Sequence, residues 1–218
     1  MPTTSNRALV RAILRRNGRT YAEAAGIKLE RNTPAIFFQY LCTSLLLSAR
    51  ISAGNALEAA RALIEAGLTT PRKMAGATWQ ERVDVITGHG YKRYDERTST
   101  MLGDTAALVL QKYGGDLRKL RDAAGRNVRR EHRLLQEFKG IGPIGADIFL
   151  REVQVAWDEA FPYADRKVLR AARRLGLPAD AEQLAKLVSR KDFPRLTAAL
   201  IRIEPANEYD ALRAQAEG

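Results

Sequence analysis

The stretch from Leu134 to Asp147 constrains the fold of this chain more than any other. It reads Leu-Leu-Gln-Glu-Phe-Lys-Gly-Ile-Gly-Pro-Ile-Gly-Ala-Asp, so glycines and a proline follow a run of residues that favour helices. After the proline, apolar residues recur at the i, i+3, i+4 and i+7 positions of a helix, namely Ala146, Phe149, Leu150 and Val153. The sequence therefore predicts a helix, a tight turn and a second helix that begins at Pro143.

The same glycines also spell G-x-G-x-x-G, and Asp165 follows the last of them, Gly145, at the spacing of a dinucleotide-binding turn. Such a turn requires a β-strand before its first glycine. Residues 130–138 contain no β-branched residue, and their apolar residues fall on one helical face. We therefore favour a hairpin between two helices over the fold of a nucleotide-dependent oxidoreductase.

A hairpin of this kind is suited to bind a phosphate. Gly140 and Gly142 are expected to permit positive φ angles and to let a phosphate approach the backbone without obstruction by a Cβ atom. The free amides at the start of the second helix would then hold that phosphate through hydrogen bonds and the helix dipole. A plain helix–helix turn without a ligand is the alternative interpretation.

Signals for the beginnings and ends of helices recur along the whole chain. Thr33-Pro34 and Thr70-Pro71 are typical of an N-cap followed by proline in the first helical position. Gly67 and Gly176 lie where glycines terminate helices. Period-two patterns typical of strands are hard to find, so we expect an all-α protein.

Composition narrows the class of partner. Lys and Arg number 36 against 25 Asp and Glu, which gives a formal charge of +11 and a sequence pI near 10.1. This excess points to a polyanionic partner. The single cysteine, Cys42, and two histidines leave too few ligands for a structural zinc site or an iron–sulfur cluster.

The apolar centre of the chain is expected to form one helical lobe over residues 35–156. Residues 1–34 and 157–218 are expected to form a second, discontinuous lobe. The apolar run from Ala35 to Ser48 contains polar residues and is shorter than the roughly 20 residues of a membrane span, so we interpret it as a buried core helix. The first residues lack the apolar segment of a signal peptide, so a cytoplasmic protein is expected.

The hairpin segment resembles the helix-hairpin-helix of the endonuclease III superfamily of DNA glycosylases. Four further landmarks support the resemblance, which covers residues 35–176: Leu45–Arg50, Gly88–Tyr91, Tyr113–Asp116 and Phe161–Asp165. The resemblance implies a two-lobed helical fold, with the helix-hairpin-helix over about residues 130–153. It also implies a monomer, associated with the nucleoid, whose partner is double-stranded DNA with a damaged or mispaired base.

Asp165 matches the catalytic aspartate of this superfamily. The resemblance implies that a damaged nucleotide is flipped out of the duplex and that its glycosidic bond breaks through an oxocarbenium-like transition state. A carboxylate near the sugar can stabilise that charge and orient or deprotonate the attacking water. Asp165 also precedes a helical apolar face, so a plain helix N-cap is the structural alternative, and both roles are compatible.

Ile144 departs from the bifunctional members of the superfamily. At this position they carry a lysine that forms a Schiff base with the sugar and drives strand cleavage. Isoleucine has no amine, and the segment is closer to the monofunctional 3-methyladenine glycosylase II type. Lys139 and Lys167 are nearby in sequence, but phosphate contact or solvated charge is the expected role of each.

The resemblance assigns further residues to DNA and to a cation. Arg50 falls where relatives fill the gap left by the flipped base. The residues assigned to DNA binding are Gly140, Ile141, Gly142, Gly145, Lys139, Arg50 and Lys167. The backbone carbonyls that match a monovalent-cation site of the family belong to Gln136, Phe138 and Ile141. No other cofactor is expected, and no cysteine follows Cys42 to build the iron–sulfur cluster of many relatives.

The sequence thus predicts a monofunctional DNA glycosylase of base excision repair. The main alternative is a non-catalytic protein that binds damaged or abasic DNA through the same hairpin. Loss of the lysine suits the binder, whereas retention of Asp165 favours the enzyme. The apolar residue at position 144 fits an alkylated, an oxidised or a mispaired base without deciding among them.

Overall fold

The protein is all-α, as the sequence predicts. The computed structural model describes residues 4–88, 95–206, 209 and 212, and none of these residues belongs to a β-strand. The helices are α1 Thr4–Asn17, α2 Tyr21–Ala24, α3 Pro34–Leu47, α4 Ala53–Glu65, α5 Pro71–Gly76, α6 Trp79–Thr87, α7 Asp95–Tyr113, α8 Arg118–Ala123, α9 Val128–Leu135, α10 Pro143–Val153, α11 Arg166–Arg174, α12 Ala181–Ala185 and α13 Phe193–Ala206. Short 3₁₀ turns lie at Leu29–Arg31 and Asp158–Ala160.

The helix boundaries follow the expected local signals. Both predicted Thr-Pro pairs open helices, and the Thr70 hydroxyl accepts a hydrogen bond from the Lys73 amide. Gly67 and Gly176 adopt positive φ angles of 77° and 74° just after helix ends. At α6 the Thr78 hydroxyl and the side chain of Glu81 complete a reciprocal capping box.

Helix α3 is buried along most of its length, which confirms its interpretation as a core helix. Nine of its 14 residues are buried, and the Tyr40 hydroxyl donates a hydrogen bond to the Ile148 carbonyl at 3.1 Å. The Tyr40 ring also contacts Phe149, with ring centroids 5.7 Å apart. No helix within the described residues combines the length and apolar character needed to cross a membrane.

The chain folds as two compact units. We call residues 22–150 the central unit, and residues 1–21 with 151–218 the terminal unit. The domain bounds expected from the sequence, 35–156 and 1–34 with 157–218, stay a prediction. In the central unit, α3 packs on α4 and α7, while α5 and α6 pack on α7.

The terminal unit has its own apolar core. Helix α13 packs against both α1 and α11. This core includes four leucines, Leu184, Leu187, Leu196 and Leu200, and Val188 and Ile201 pack against it. Burial of these side chains is the main stabilising contribution to such a unit.

Candidate functional site

The glycine segment is a turn between two helices. Helix α9 ends at Leu135, residues 136–142 form the turn, and α10 begins at Pro143. All four residues of the predicted buried face of α10 are fully buried: Ala146, Phe149, Leu150 and Val153. Because a helix and not a strand precedes Gly140, the dinucleotide-binding interpretation is wrong.

Gly140 is required by backbone geometry and by packing. Its φ of +88° is one that residues with a side chain rarely adopt, and a Cβ added there would lie 2.6 Å from the Met101 sulfur. The expectation of a positive φ at Gly142 is wrong, because its φ lies outside the left-handed region. A Cβ at Gly142 would meet no atom within 4 Å, so this face of the glycine is open.

Gly145 serves a different purpose from Gly142. It is buried, and a Cβ added to it would lie 2.5 Å from the Ser48 hydroxyl oxygen and 3.0 Å from a methyl carbon of Ile141. The Ser48 hydroxyl is itself held by a 2.6 Å hydrogen bond to the Ser44 carbonyl. Gly145 therefore permits the close approach of α3 and α10.

We expect Gly145→Ala to lower the free energy of unfolding by about 1–3 kcal/mol, because the added methyl group overpacks the contact with Ser48. Gly142→Ala is the matched control and should change it by less than about 0.5 kcal/mol. Urea denaturation of both variants measures the difference. Equal stabilities would show that the α3–α10 contact relaxes at no cost.

The tip of the hairpin is open to solvent. Gly142, Pro143 and Ile144 are all exposed. The amides of Gly142 and Ile144 donate no hydrogen bond to any group among the described residues. The first turn of α10 therefore offers backbone N–H groups and the positive end of the helix dipole to an anion.

Ile144 is 52% exposed, which makes it one of the two large apolar side chains exposed in the described part of the chain. An amine at this position would remain solvated. The isoleucine instead offers a methyl surface directly beside the open amides.

Polar contacts hold the two helices of the hairpin together. His132 of α9 and Asp147 of α10 lie 3.0 Å apart through Nε2 and Oδ1. The Gln136 side-chain nitrogen lies 3.0 Å from His132 Nδ1 and donates to the His132 carbonyl. Lys139, predicted to contact DNA, is exposed and pairs with Asp104 at 2.9 Å.

The carbonyls expected at a cation site differ in their availability. The Phe138 carbonyl accepts a hydrogen bond from the Ile141 amide at 3.0 Å. Within the described residues, the carbonyls of Gln136 and Ile141 accept none. Backbone oxygens are suitable ligands for a hard cation, so the residues present fit such an ion.

Arg50 lines a cavity of about 360 Å³ in the central unit. Leu45, Met101 and Gly140 of the hairpin also line it. A second arginine, Arg97, lines the same cavity. In the sequence landmark Gly88–Tyr91, residues 89–91 lie outside the described residues.

Asp165 is a helix N-cap and also half of a buried ion pair. Its Oδ1 accepts hydrogen bonds from the amides of Lys167 and Val168 at 2.8 and 3.2 Å. Its Oδ2 accepts a hydrogen bond from Arg151 Nε at 2.9 Å and forms an ion pair with Nη2 of the same guanidinium at 2.8 Å. The side chains of Asp165 and Arg151 are each only 3% exposed. Sequence reasoning anticipated the cap but missed the arginine.

A second side chain of the terminal unit holds the segment that leads to Asp165. The Gln154 side chain accepts from the Tyr163 amide at 2.9 Å and donates to the Tyr163 carbonyl at 3.0 Å. Gln154 therefore pairs with the backbone as a neighbouring strand would. The only sequence signal for Arg151 and Gln154 was their polar character beside the apolar face of α10.

Two helices of the terminal unit expose cationic faces. On α11, which follows Asp165, the exposed basic residues are Arg166, Lys167, Arg170, Arg173 and Arg174. On α1, Arg7, Arg11 and Arg15 are exposed at i, i+4 and i+8. Sequence reasoning missed this α1 row, although its spacing places all three on one side of a helix.

Comparison with known proteins gives structural matches only. No protein-family model and no curated protein sequence matches the chain. One similar solved structure is a trapped covalent intermediate of endonuclease III with DNA in an estranged-adenine complex, at 20% identity and a TM-score of 0.47 over 75% of this chain and 71% of that chain. Another is a non-covalent endonuclease III–DNA complex, at 19% identity and a TM-score of 0.49 over 78% and 73% of the two chains.

Proposed function

We propose that this chain is a monofunctional DNA glycosylase of base excision repair that binds duplex DNA through the hairpin. The observation that carries the proposal is the exposed tip of the hairpin, where the amides of Gly142 and Ile144 stand open at the start of α10. A helix start of this kind binds a phosphate without reading sequence. The net charge of +11 supports a nucleic-acid partner.

Asp165 supplies the chemistry in this proposal. As the glycosidic bond breaks, the base leaves with the bonding electrons and the sugar becomes oxocarbenium-like. The fixed negative charge of Asp165 stabilises that cation. Water then adds to the sugar carbon and releases its proton to solvent, which leaves an abasic site. The carbonyls of Gln136, Phe138 and Ile141 would hold a monovalent cation that supports the phosphate-binding turn.

The direct test is base release from duplexes that carry an alkylated purine, an oxidised base or a mispaired base. Heating with and without alkali shows whether the product is an abasic site or a cleaved strand. We expect one class to yield alkali-dependent cleavage. Binding without base release from every duplex would favour the alternative.

That alternative is a binder of damaged or abasic DNA without catalytic activity. One observation favours it, because the Asp165 side chain is almost fully buried and both of its oxygens already accept hydrogen bonds within the protein. A carboxylate that is fully hydrogen-bonded can still stabilise a nearby cation, because a Coulomb interaction does not require direct contact. Base release therefore decides between the two functions.

Binding should depend on the open face of Gly142. We expect Gly142→Val to weaken binding to any duplex about tenfold to a hundredfold, because the side chain blocks a charge-assisted contact between an amide and a phosphate. The parent protein should lose about 0.9 in log K per contacted phosphate for each tenfold rise in salt. Fluorescence anisotropy on unmodified DNA measures both effects.

Gly76→Val is the matched control, since a Cβ at Gly76 also meets nothing within 4 Å and this glycine closes α5, away from the hairpin turn in sequence. Its affinity should equal that of the parent. Equal affinities for all three proteins would remove the hairpin tip from the DNA interface.

The reaction should stop at the abasic site. Ile144 has no amine, so borohydride should trap no covalent adduct between the parent protein and DNA. Because position 144 is 52% exposed, Ile144→Lys should fold as well as the parent and should gain a trappable Schiff base. Trapping with the parent would overturn the monofunctional proposal, and alanine variants of Lys139 and Lys167 would then locate the nucleophile.

A further inference from the structure

We propose that Arg151 is a positioning residue that fixes the Asp165 carboxylate, so that Asp165 acts as an immobile negative charge and not as a proton acceptor. The inference rests on the proposed glycosylase function and extends it. A carboxylate near the sugar can stabilise the sugar cation by its charge, or it can accept a proton from the attacking water, and the inference assigns the first role to Asp165.

Both oxygens of Asp165 are already engaged by protein groups. Two backbone amides of α11 donate to Oδ1, Arg151 Nε donates to Oδ2, and Arg151 Nη2 forms an ion pair with the same oxygen at 2.8 Å. An arginine cation this close favours the charged form of the carboxylate over the protonated one. The charge itself remains and can stabilise a cation.

The Arg151 contact is suited to fixing orientation. The guanidinium is a rigid planar group, and two of its nitrogens lie against one oxygen, with Nε donating at 2.9 Å and Nη2 in an ion pair at 2.8 Å. With the side chains of Arg151 and Asp165 each 3% exposed, little water is present to replace these bonds. A preorganised charge of this kind needs no rearrangement when the sugar cation forms.

Gln154 provides a second anchor. Its side chain forms hydrogen bonds with both the amide and the carbonyl of Tyr163, two residues before the aspartate. The same side chain also donates to the Arg151 carbonyl at 2.6 Å. The Asp165 segment is therefore held through its backbone by Gln154 and through its carboxylate by Arg151. A displacement of about 1 Å at a reacting centre can cost a hundredfold in rate, so both anchors bear on catalysis.

The test is the single-turnover rate of base release, measured beside the affinity for the same lesion duplex. Arg151→Lys keeps the positive charge but loses the fork, so we expect the rate to fall about tenfold to a hundredfold while affinity stays within about twofold. Gln154→Ala leaves the ion pair in place and should lower the rate by a smaller factor. Arg72→Met, at an exposed position of α5, is the surface control and should match the parent.

The decisive measurement repeats both substitutions in an Asp165→Asn background. If Arg151 and Gln154 act through Asp165, neither substitution lowers the residual rate of that variant further. Two results would overturn the positioning role but not the glycosylase function. The first is a rate loss from the Arg151 or Gln154 substitution that is as large in the Asp165→Asn background as in the parent. The second is a fall in affinity equal to the fall in rate. A parent protein that releases no base from any lesion would instead overturn the proposed function, and the inference with it.

Discussion

Asp165→Asn is expected to slow base release by about 10²–10³-fold, because in the proposed mechanism it removes the charge that stabilises the oxocarbenium-like sugar. Asparagine retains an oxygen that can cap α11, so the loss is not one of helix capping. Affinity for lesion DNA should survive, since the phosphate contacts are unchanged. Single-turnover kinetics at a temperature where circular dichroism shows the variant folded measures the effect.

Asp180→Asn is the matched control for this substitution. Asp180 is also an N-cap aspartate of the terminal unit, and its side chain accepts from the Gln183 amide at 3.0 Å. Its variant should release base at the parent rate. A rate for Asp165→Asn equal to that of the parent would remove Asp165 from the chemistry and leave it a structural cap.

The largest expected effect on stability belongs to Arg151→Met. Removal of the guanidinium leaves a buried carboxylate without its ionic partner, which typically costs about 3–5 kcal/mol of unfolding free energy. Arg190→Met is the control. Arg190 pairs with Asp158 at the surface, where their side chains are 51% and 85% exposed, and lies 4.8 Å from the centre of the Phe161 ring. Methionine can keep the ring contact, so its loss should be at most about 1 kcal/mol.

The double variant Arg151→Met/Asp165→Leu separates two explanations of that cost. If the cost arises from an unpaired buried charge, apolar replacement of both partners should recover most of the lost stability, except about 1 kcal/mol for the lost cap. Chemical denaturation monitored by circular dichroism measures all four proteins. A double variant less stable than Arg151→Met alone would show that packing around the arginine stem, and not its charge, dominates.

Local patterns were sufficient to predict the helical architecture. The buried face of α10, the proline starts of α3 and α5 and the glycine ends at Gly67 and Gly176 depend on neighbouring residues alone, so they are visible in the sequence. The same holds for the cap formed by Asp165, because the backbone amides that donate to its carboxylate lie two and three residues later.

Features that depend on distant residues were not visible. The partner of Asp165 lies 14 residues earlier in the chain, and nothing in local spacing selects Arg151 from the 36 basic residues. The glycine motif likewise identifies Gly140, Gly142 and Gly145 in the sequence but does not distinguish their roles. Only the position of Met101 and Ser48 shows that Gly140 and Gly145 face protein atoms, whereas Gly142 faces open space.

This division among the glycines has a consequence for how such a chain would diverge. Gly140 and Gly145 are constrained by Met101 and Ser48, and any descendant that keeps the fold must respect those contacts. A side chain at position 142 would start in open space, so in the proposed function it is the bound phosphate that constrains this position. If the hairpin binds DNA as proposed, a duplicated copy that no longer needs DNA should accumulate side chains at position 142 while positions 140 and 145 remain glycine. The identity of residue 142 would therefore distinguish copies that still bind DNA from copies that retain the fold alone.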